Sequence, residues 1–370
     1  MEGGTVRESL SFSAGAAVSA AVLANPVLSA PTFFHSILLP LSIIPTFIIY
    51  KYGIQGSSRL TARAAVFFLL FLCGALCFST SALTGATTSD HQSIAGNLAE
   101  KCYNAISATI DSMPFEGNNT RGLIKALVAG DRSGLSPEIR QAFRDAGASH
   151  LLALSGLHLG IIYILISKLL SFSGNFPSSR KFRSLATIIL CGLYTLATGA
   201  SPSLKRAFLF ITLRETGLII GRDTKPLGIL NAALIIHIAI SPEEITSPGF
   251  QLSYLAVLGI ITIAPRLQAI WQSEDYLASK IWQLASVSLA SQIFTAPVAW
   301  LHFGTFPVYF LITNILAIPL TGILMPSAVI AALLHSAGIC PQFLLNAVDL
   351  LSSLLTGILS TISSLPSAAI

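Results

Sequence analysis

Apolar runs recur through this chain at residues 13–30, 33–50, 64–84, 151–170, 185–200, 204–220, 227–240, 250–264, 282–301, 308–325, 326–338 and 343–362. Several reach the roughly 20 residues that carry a helix across about 30 Å of hydrocarbon. Backbone groups in lipid find no water to bond, so a spanning segment must be a helix or belong to a closed barrel. Barrel strands would alternate over about ten residues, and these runs are continuous. They predict an all-α, polytopic integral membrane protein of about 10 transmembrane helices, within roughly 8–12 because some runs are too short to cross alone. Composition agrees, with 53% hydrophobic and only 10% charged residues against about 25% charged in soluble domains.

The net charge of +5 fits a nucleic-acid partner, and it fits the basic cytoplasmic loops of membrane proteins equally well. Lys51, Arg59 and Arg63, then Lys168, Arg180, Lys181 and Arg183, then Arg222 and Lys225 mark three connections as cytoplasmic, while Glu243 and Glu244 stand in one without a basic residue. The N-terminus is then inside and residues 85–149 outside. Glu2 and Glu8 make a poor signal peptide of the start, so a retained first membrane helix is expected. The expected organisation is 1–84 as N-terminal membrane helices, 85–149 as an extracytoplasmic amphipathic helical segment, and 150–370 as the main transmembrane domain. Cys73, Cys77 and Cys191 lie in apolar spans, Cys340 lies between two, and no cysteine spacing suggests zinc or a disulfide framework.

Within the external segment, Leu98, Cys102, Ile106, Ile110 and Met113 form one helical stripe and Leu123, Ile124, Leu127 and Val128 another, both expected to lie at an interface. A third helix is framed by Ser136 and Pro137 at its start and Gly147 at its stop. Ile139, Ala142, Phe143 and Ala146 share one of its faces. It runs into a predicted membrane helix from His150 to Leu170 that begins with His150, Ser155, Gly156 and His158. Polar groups at such a place need a reason.

Ser155 and His158, three apart, suggest a hydrolytic pair, but neighbours on one regular helix rarely approach in line. They also fit structural hydrogen bonding or the lining of a path. On a continuous helix His150 and His158 would stand about 80° and 12 Å apart, a poor start for a metal site. Lys205 and Arg206 fall at one end of a span with Arg214 and Glu215 near its middle. Arg206, Phe210 and Arg214 form an i, i+4, i+8 row. That row suits the conduction of phosphates, or Arg214 locks helices together through a carboxylate that another helix would supply. Asn231, His237, Gln251, Gln292 and Asn314 are further polar groups inside spans, suited to interhelical hydrogen bonds or a polar path. No phosphate-binding loop is present, so any active transport is powered by another protein.

The ordered set AGDRSGLSPEIRQAFRDAGAS, HLLALSGLHLG, TGASPSLKRAFLF, GFQLSYLAVLGI and FPVYFLITNILAIPL closely resembles the competence domain of the ComEC family, from Leu123 to Met325. The resemblance implies an inner-membrane channel through which single-stranded DNA enters a naturally competent bacterium, served by an external DNA receptor and a cytoplasmic motor, and open to homo-oligomerisation. It places His150, Ser155, Gly156 and His158 in one family motif, Arg206 in a second, and Gly249, Phe250, Gln251 and Ser253 in a third. It assigns no cofactor, metal or catalytic residue. Larger members carry an OB-like external domain and a metallo-β-lactamase-like domain. Residues 85–149 read as helical and no H-x-H-x-D-H cluster is present, so no nuclease is expected in this chain. A transporter for another anionic solute is the alternative.

Overall fold

The computed structural model describes residues 94–117, 119–171, 177–222, 224–304 and 306–366. The expected spans 13–30, 33–50 and 64–84, with Cys73, Cys77, Lys51, Arg59 and Arg63, lie outside the described residues. The described residues form thirteen α-helices in order: α1 (Ile94–Ser112), α2 (Thr120–Ala129), α3 (Pro137–Asp145), α4 (Ser149–Leu152), α5 (Gly156–Ser171), α6 (Pro177–Ala197), α7 (Pro202–Ile220), α8 (Pro226–Ile240), α9 (Pro248–Thr262), α10 (Ala264–Ile270), α11 (Tyr276–Phe303), α12 (Phe310–Ser336) and α13 (Gln342–Ser363), with a 3₁₀ turn at Pro242–Thr246. They fall into two compact units, one of residues 94–222 and 255–366, the other of residues 224–254 among the described chain.

Among the described residues, four helical stretches are long and apolar enough to cross a membrane: Pro248–Ile270, Tyr276–Phe303, Phe310–Ser336 and Gln342–Ser363; Gly156–Ser171 and Pro226–Ile240 are apolar but shorter. The runs 308–325 and 326–338 are not two spans. They form the single helix α12, which carries Pro319 and Pro326 in its interior, a break that neighbouring helices tolerate in membranes. The runs 185–200 and 204–220 are helical as α6 and α7, each weighted with basic residues. The α5–α6–α7 meander gathers Lys168, Arg180, Arg183 and Arg222 toward one end and Ser155, Gly199 and Ser201 toward the other.

The core of the larger unit sits where the sequence places an interface. Leu123, Ile124, Ala126 and Leu127 of α2 are fully buried together with Leu324 and Met325 of α12, Val348 and Leu355 of α13, and Phe143 of α3. Ile110 and Met113 at the end of α1 enter the same core. The second stripe and the Ile106–Met113 end of the first therefore face protein rather than a lipid–water boundary. Arg121 and Lys125, four apart, leave that core on one side of α2. Arg121 donates to the Met113 carbonyl at 3.1 Å, and Lys125 pairs with Asp111 at 2.6 Å. Gly122 lets the following loop close over α2, because a Cβ there would stand 2.3 Å from the Gly134 carbonyl oxygen.

Helix α3 begins and stops as its sequence demands. The Ser136 hydroxyl accepts from the Ile139 N–H at 3.4 Å, Pro137 occupies the first turn, and Phe143 faces the core. Gly147 closes it with φ +77°, a conformation that favours glycine, directly against Pro307 and Phe310. A second glycine contact is made by Gly259 of α9, whose Cβ would lie 2.3 Å from the Ala290 carbonyl oxygen of α11. Small residues allow membrane helices this approach.

Candidate functional site

The stretch from His150 to Leu170 is not one helix. Helix α4 ends at Leu152, Ala153 is extended at φ −80° and ψ 126°, and α5 starts at Gly156. The break leaves the Leu152 carbonyl without a helical donor, and Arg132 supplies one from its Nε at 3.0 Å. Ser155 then precedes α5 as its cap, with its carbonyl accepting the Leu159 N–H at 3.3 Å.

His158 sits three residues on and folds back. Its Nδ1 lies 3.0 Å from the Ser155 hydroxyl and 3.4 Å from the Ser155 N–H, which donates to it. This is one half of a capping box, with imidazole in the place of the usual carboxylate, and the Ser155 hydroxyl closes on the same ring nitrogen. The pair thus meets because Ser155 stands outside the regular helix, a geometry that a continuous helix would forbid. The angular separation of His150 and His158 expected on a continuous helix does not apply either. His150 is exposed, with Nδ1 3.2 Å from the Gly147 carbonyl, whereas His158 is fully buried. Among the described residues no three His, Cys, Asp or Glu gather at metal-binding spacing.

The second motif approaches this one. Between α6 and α7 the chain turns through Gly199 at φ +79° and Ala200 at φ +46°, the latter rare for a residue with a Cβ. The Ala200 N–H is held on the Thr195 carbonyl at 2.8 Å. Ser201 caps α7 through the Leu204 N–H at 3.4 Å, with Pro202 in the first turn. Leu154, Leu159 and Leu204 pack together with Cys191, and a Cβ on Gly156 would meet the Ala207 Cβ at 3.5 Å. The starts of α5 and α7 therefore lie side by side, with Gly156 and Lys205 exposed there. That 3.5 Å is an ordinary contact, so Gly156→Ala is expected to hold or raise the melting temperature of the extracted protein, since alanine is favoured in a helix by about 0.5–1 kcal/mol. A thermal scan checks it, and a large loss of stability would contradict the geometry.

The arginine row divides. Arg206 is 3% exposed and donates to the Ser203 hydroxyl at 3.1 Å. Arg214 is half exposed and its carboxylate partner is Glu215, at 3.2 Å, rather than a group from another helix. Tyr163 of α5 makes this possible: its hydroxyl accepts from Arg214 and donates to Glu215 at 2.7 Å, and the guanidinium lies 5.4 Å from its ring centre. The roughly 100° between adjacent helical side chains is spanned by a phenol that no pattern in the sequence points to.

Beside the α6–α7 turn a cavity of about 520 Å³ is lined by Glu100, Tyr103, Gly130, Asp131, Arg132 and Thr198. The Ser133 hydroxyl and N–H, at 2.6 and 2.9 Å, hold the Asp131 carboxyl below the usual carboxylate range. Asn314 lies in the second turn of α12 with its side-chain oxygen buried and without a hydrogen-bond partner among the described residues.

The third motif belongs to the smaller unit. Phe250 is buried, with its ring 5.0 Å from His237 and 4.6 Å from Tyr254. His237 contacts Glu244 through Nε2 at 3.1 Å and the Tyr254 hydroxyl through Nδ1 at 3.2 Å. That hydroxyl donates to the Ala233 carbonyl at 3.1 Å. Gln251 donates to the Ile245 carbonyl at 3.1 Å, Gly249 is exposed, and Ser253 is half-buried. The sequence offered Phe250 and Gln251; it gave no sign that Glu244 and Tyr254 would close on His237.

Comparison with known proteins places this arrangement. Residues 127–370 match the family described as competence protein. The chain is 29% identical to ComE operon protein 3 of Bacillus subtilis (strain 168) over 59% of its own length and 27% of that protein's. It is 30% identical to competence protein ComA of Neisseria gonorrhoeae over 44% of its length and 21% of that protein's. It is 26% identical to the uncharacterized protein YcaI of Escherichia coli (strain K12) over 63% and 31% respectively. The chain thus spans less than a third of the length of these relatives. No solved structure matches it. With the family match covering more than half of its residues, the chain belongs to the competence protein family, as a multi-pass protein of the bacterial inner membrane.

Proposed function

We propose that the chain forms an inner-membrane channel for the uptake of single-stranded DNA during natural transformation. The observation that carries this reading is the meeting of two family motifs at the starts of α5 and α7, where a Cβ on Gly156 would touch Ala207 and Lys205 is exposed in the first turn of α7. A strand is a chain of phosphates with stackable bases, and paths for it combine cations with aromatic faces. Lys205 provides a cation at the start of α7, and half-exposed Arg214 provides another on the opposite side of the same helix. The helix start adds N–H groups that favour anions. His150, Ser155, Gly156 and His158 would shape the entrance and Asn314 would contribute further lining, while Gly249, Phe250, Gln251 and Ser253 would be the DNA-path residues of the smaller unit, taken by itself. An external receptor would deliver DNA and a cytoplasmic motor would pull it.

The reading is tested by following labelled DNA into the cytoplasm of a strain lacking this gene. Uptake is expected to be lost and to return with the intact gene; undiminished uptake in a strain with no second copy would overturn it. The exposed cations would serve a carrier of another anionic solute equally well, and salt-sensitive binding of single strands to the purified chain separates the two.

A further inference from the structure

We infer that residues 94–147 are re-entrant: they traverse the depth of the membrane bundle and border a water-filled hollow inside it. The ends of α12 act as rulers. Its 27 residues make a rod of about 40 Å, longer than the roughly 30 Å of hydrocarbon. At its last turn, His335 Nε2 lies 3.1 Å from the Ser112 hydroxyl at the end of α1. Nearby on α13, Asp349 accepts the Glu116 and Gly117 N–H groups at 3.0 and 3.2 Å. At the opposite end of α12, Phe310 and the preceding Pro307 pack on Gly147. The chain from Ser112 to Gly147 therefore returns along the whole length of a membrane-spanning helix.

Helix α1 makes the opposite passage. In its first half, Ala99, Glu100 and Tyr103 share a cavity with Thr198 and Gly199 at the end of α6. Further on, Ile106 and Ile110 line an apolar cavity of about 380 Å³ with Leu190, Leu333 and Ser336. No apolar run marks either passage, because each helix turns only one face to protein. On the other face α1 exposes Glu100, Asn104, Ala108 and Asp111, at spacings of three and four. Helix α3 packs Phe143 along the second half of α13, from Ser353 and Thr356 to Ser360 in its last turn, while Glu138, Gln141 and Arg144 are exposed. A charge in hydrocarbon costs at least about 2.5–3.5 kcal/mol. Faces of this polarity at such depth must meet water.

Two measurements on the full chain in membranes, with native cysteines replaced, test the inference together. Single cysteines at Asn104, Ala108 and Gln141 are expected to react with a charged, impermeant methanethiosulfonate at least a hundredfold faster than a cysteine at Ile110. A Ser112→Cys, His335→Cys pair is expected to be bridged by a short bifunctional methanethiosulfonate. Labelling without bridging would mean a helix lying on the surface and would overturn the inference. Labelling of Asn104→Cys and Ala108→Cys by a lipid-soluble maleimide alone would do the same. Size-exclusion of each variant confirms that it is folded. Should the native-cysteine replacement fail to fold, the increment over wild-type labelling gives the same comparison. Neither readout involves DNA, so the inference and the channel reading stand or fall separately.

Discussion

Single-stranded DNA binding by the purified chain is expected to lose about 0.7 from the slope of log affinity against log salt when Lys205 becomes Gln. That figure is the counterion release of one phosphate contact on a single strand. Lys205 is exposed in the first turn of α7, where backbone N–H groups also favour an anion. Its neighbour is the contrasting case. Arg206 is buried and bonded to the Ser203 hydroxyl, so Arg206→Gln is expected to keep the slope and to lower the yield of folded protein. A hydrogen bond from a charged group is worth about 1.5–3 kcal/mol, enough to decide the survival of a marginal membrane protein. Arg214→Gln falls between, because Glu215 and Tyr163 already engage its guanidinium and cancel part of its field. Titrations of labelled oligonucleotide at several salt concentrations separate the three. An unchanged slope in Lys205→Gln would remove that residue from the path.

The contrast between Lys205 and Arg206 also marks how far the sequence could be read. Both cations, and the span they open, were visible in it; which of them faces protein depends on α5 and α6 and was not. The helical, membrane-crossing class follows from runs of about 20 apolar residues; α13 lies where its run predicts, while α12 joins two runs into one helix. The limits of α3 were legible because Ser136, Pro137 and Gly147 each act locally. The break before α5 was not, since HLLALSGLHLG is apolar enough to continue and the donor that rescues its free carbonyl, Arg132, lies 20 residues away. Helix α2 was misplaced for a related reason. Two cations on one side make it amphipathic, but the helices that cover its other sides begin at Phe310 and Gln342, and no local pattern announces a partner so distant. Arg214 shows the same limit from the other direction: helical angles separate it from Glu215, and only the phenol of Tyr163 joins them.

Gly122→Ala is expected to remove most of the folded chain from the membrane. The new Cβ would stand 2.3 Å from the Gly134 carbonyl oxygen and 2.8 Å from its carbon. Both partners are backbone, so no side chain can swing aside. Overpacking of a core costs about 1–3 kcal/mol even where side chains yield, and the gain of about 0.5–1 kcal/mol from alanine in a helix does not offset it. The damage would spread along the chain. Lifting the loop from α2 moves Arg132, which holds the Leu152 carbonyl at the break before Ser155, and the capping pair of Ser155 and His158 depends on that break. Gly134→Ala is the matched control, because its Cβ would meet the Gly122 Cα at an ordinary 3.4 Å. Detergent extraction followed by size-exclusion should show a monodisperse Gly134→Ala and a depleted or aggregated Gly122→Ala. Equal recovery of both would mean that the loop does not lie on α2 in the membrane, and that the route from Arg132 to the starts of α5 and α7 is not the one by which the entrance is held.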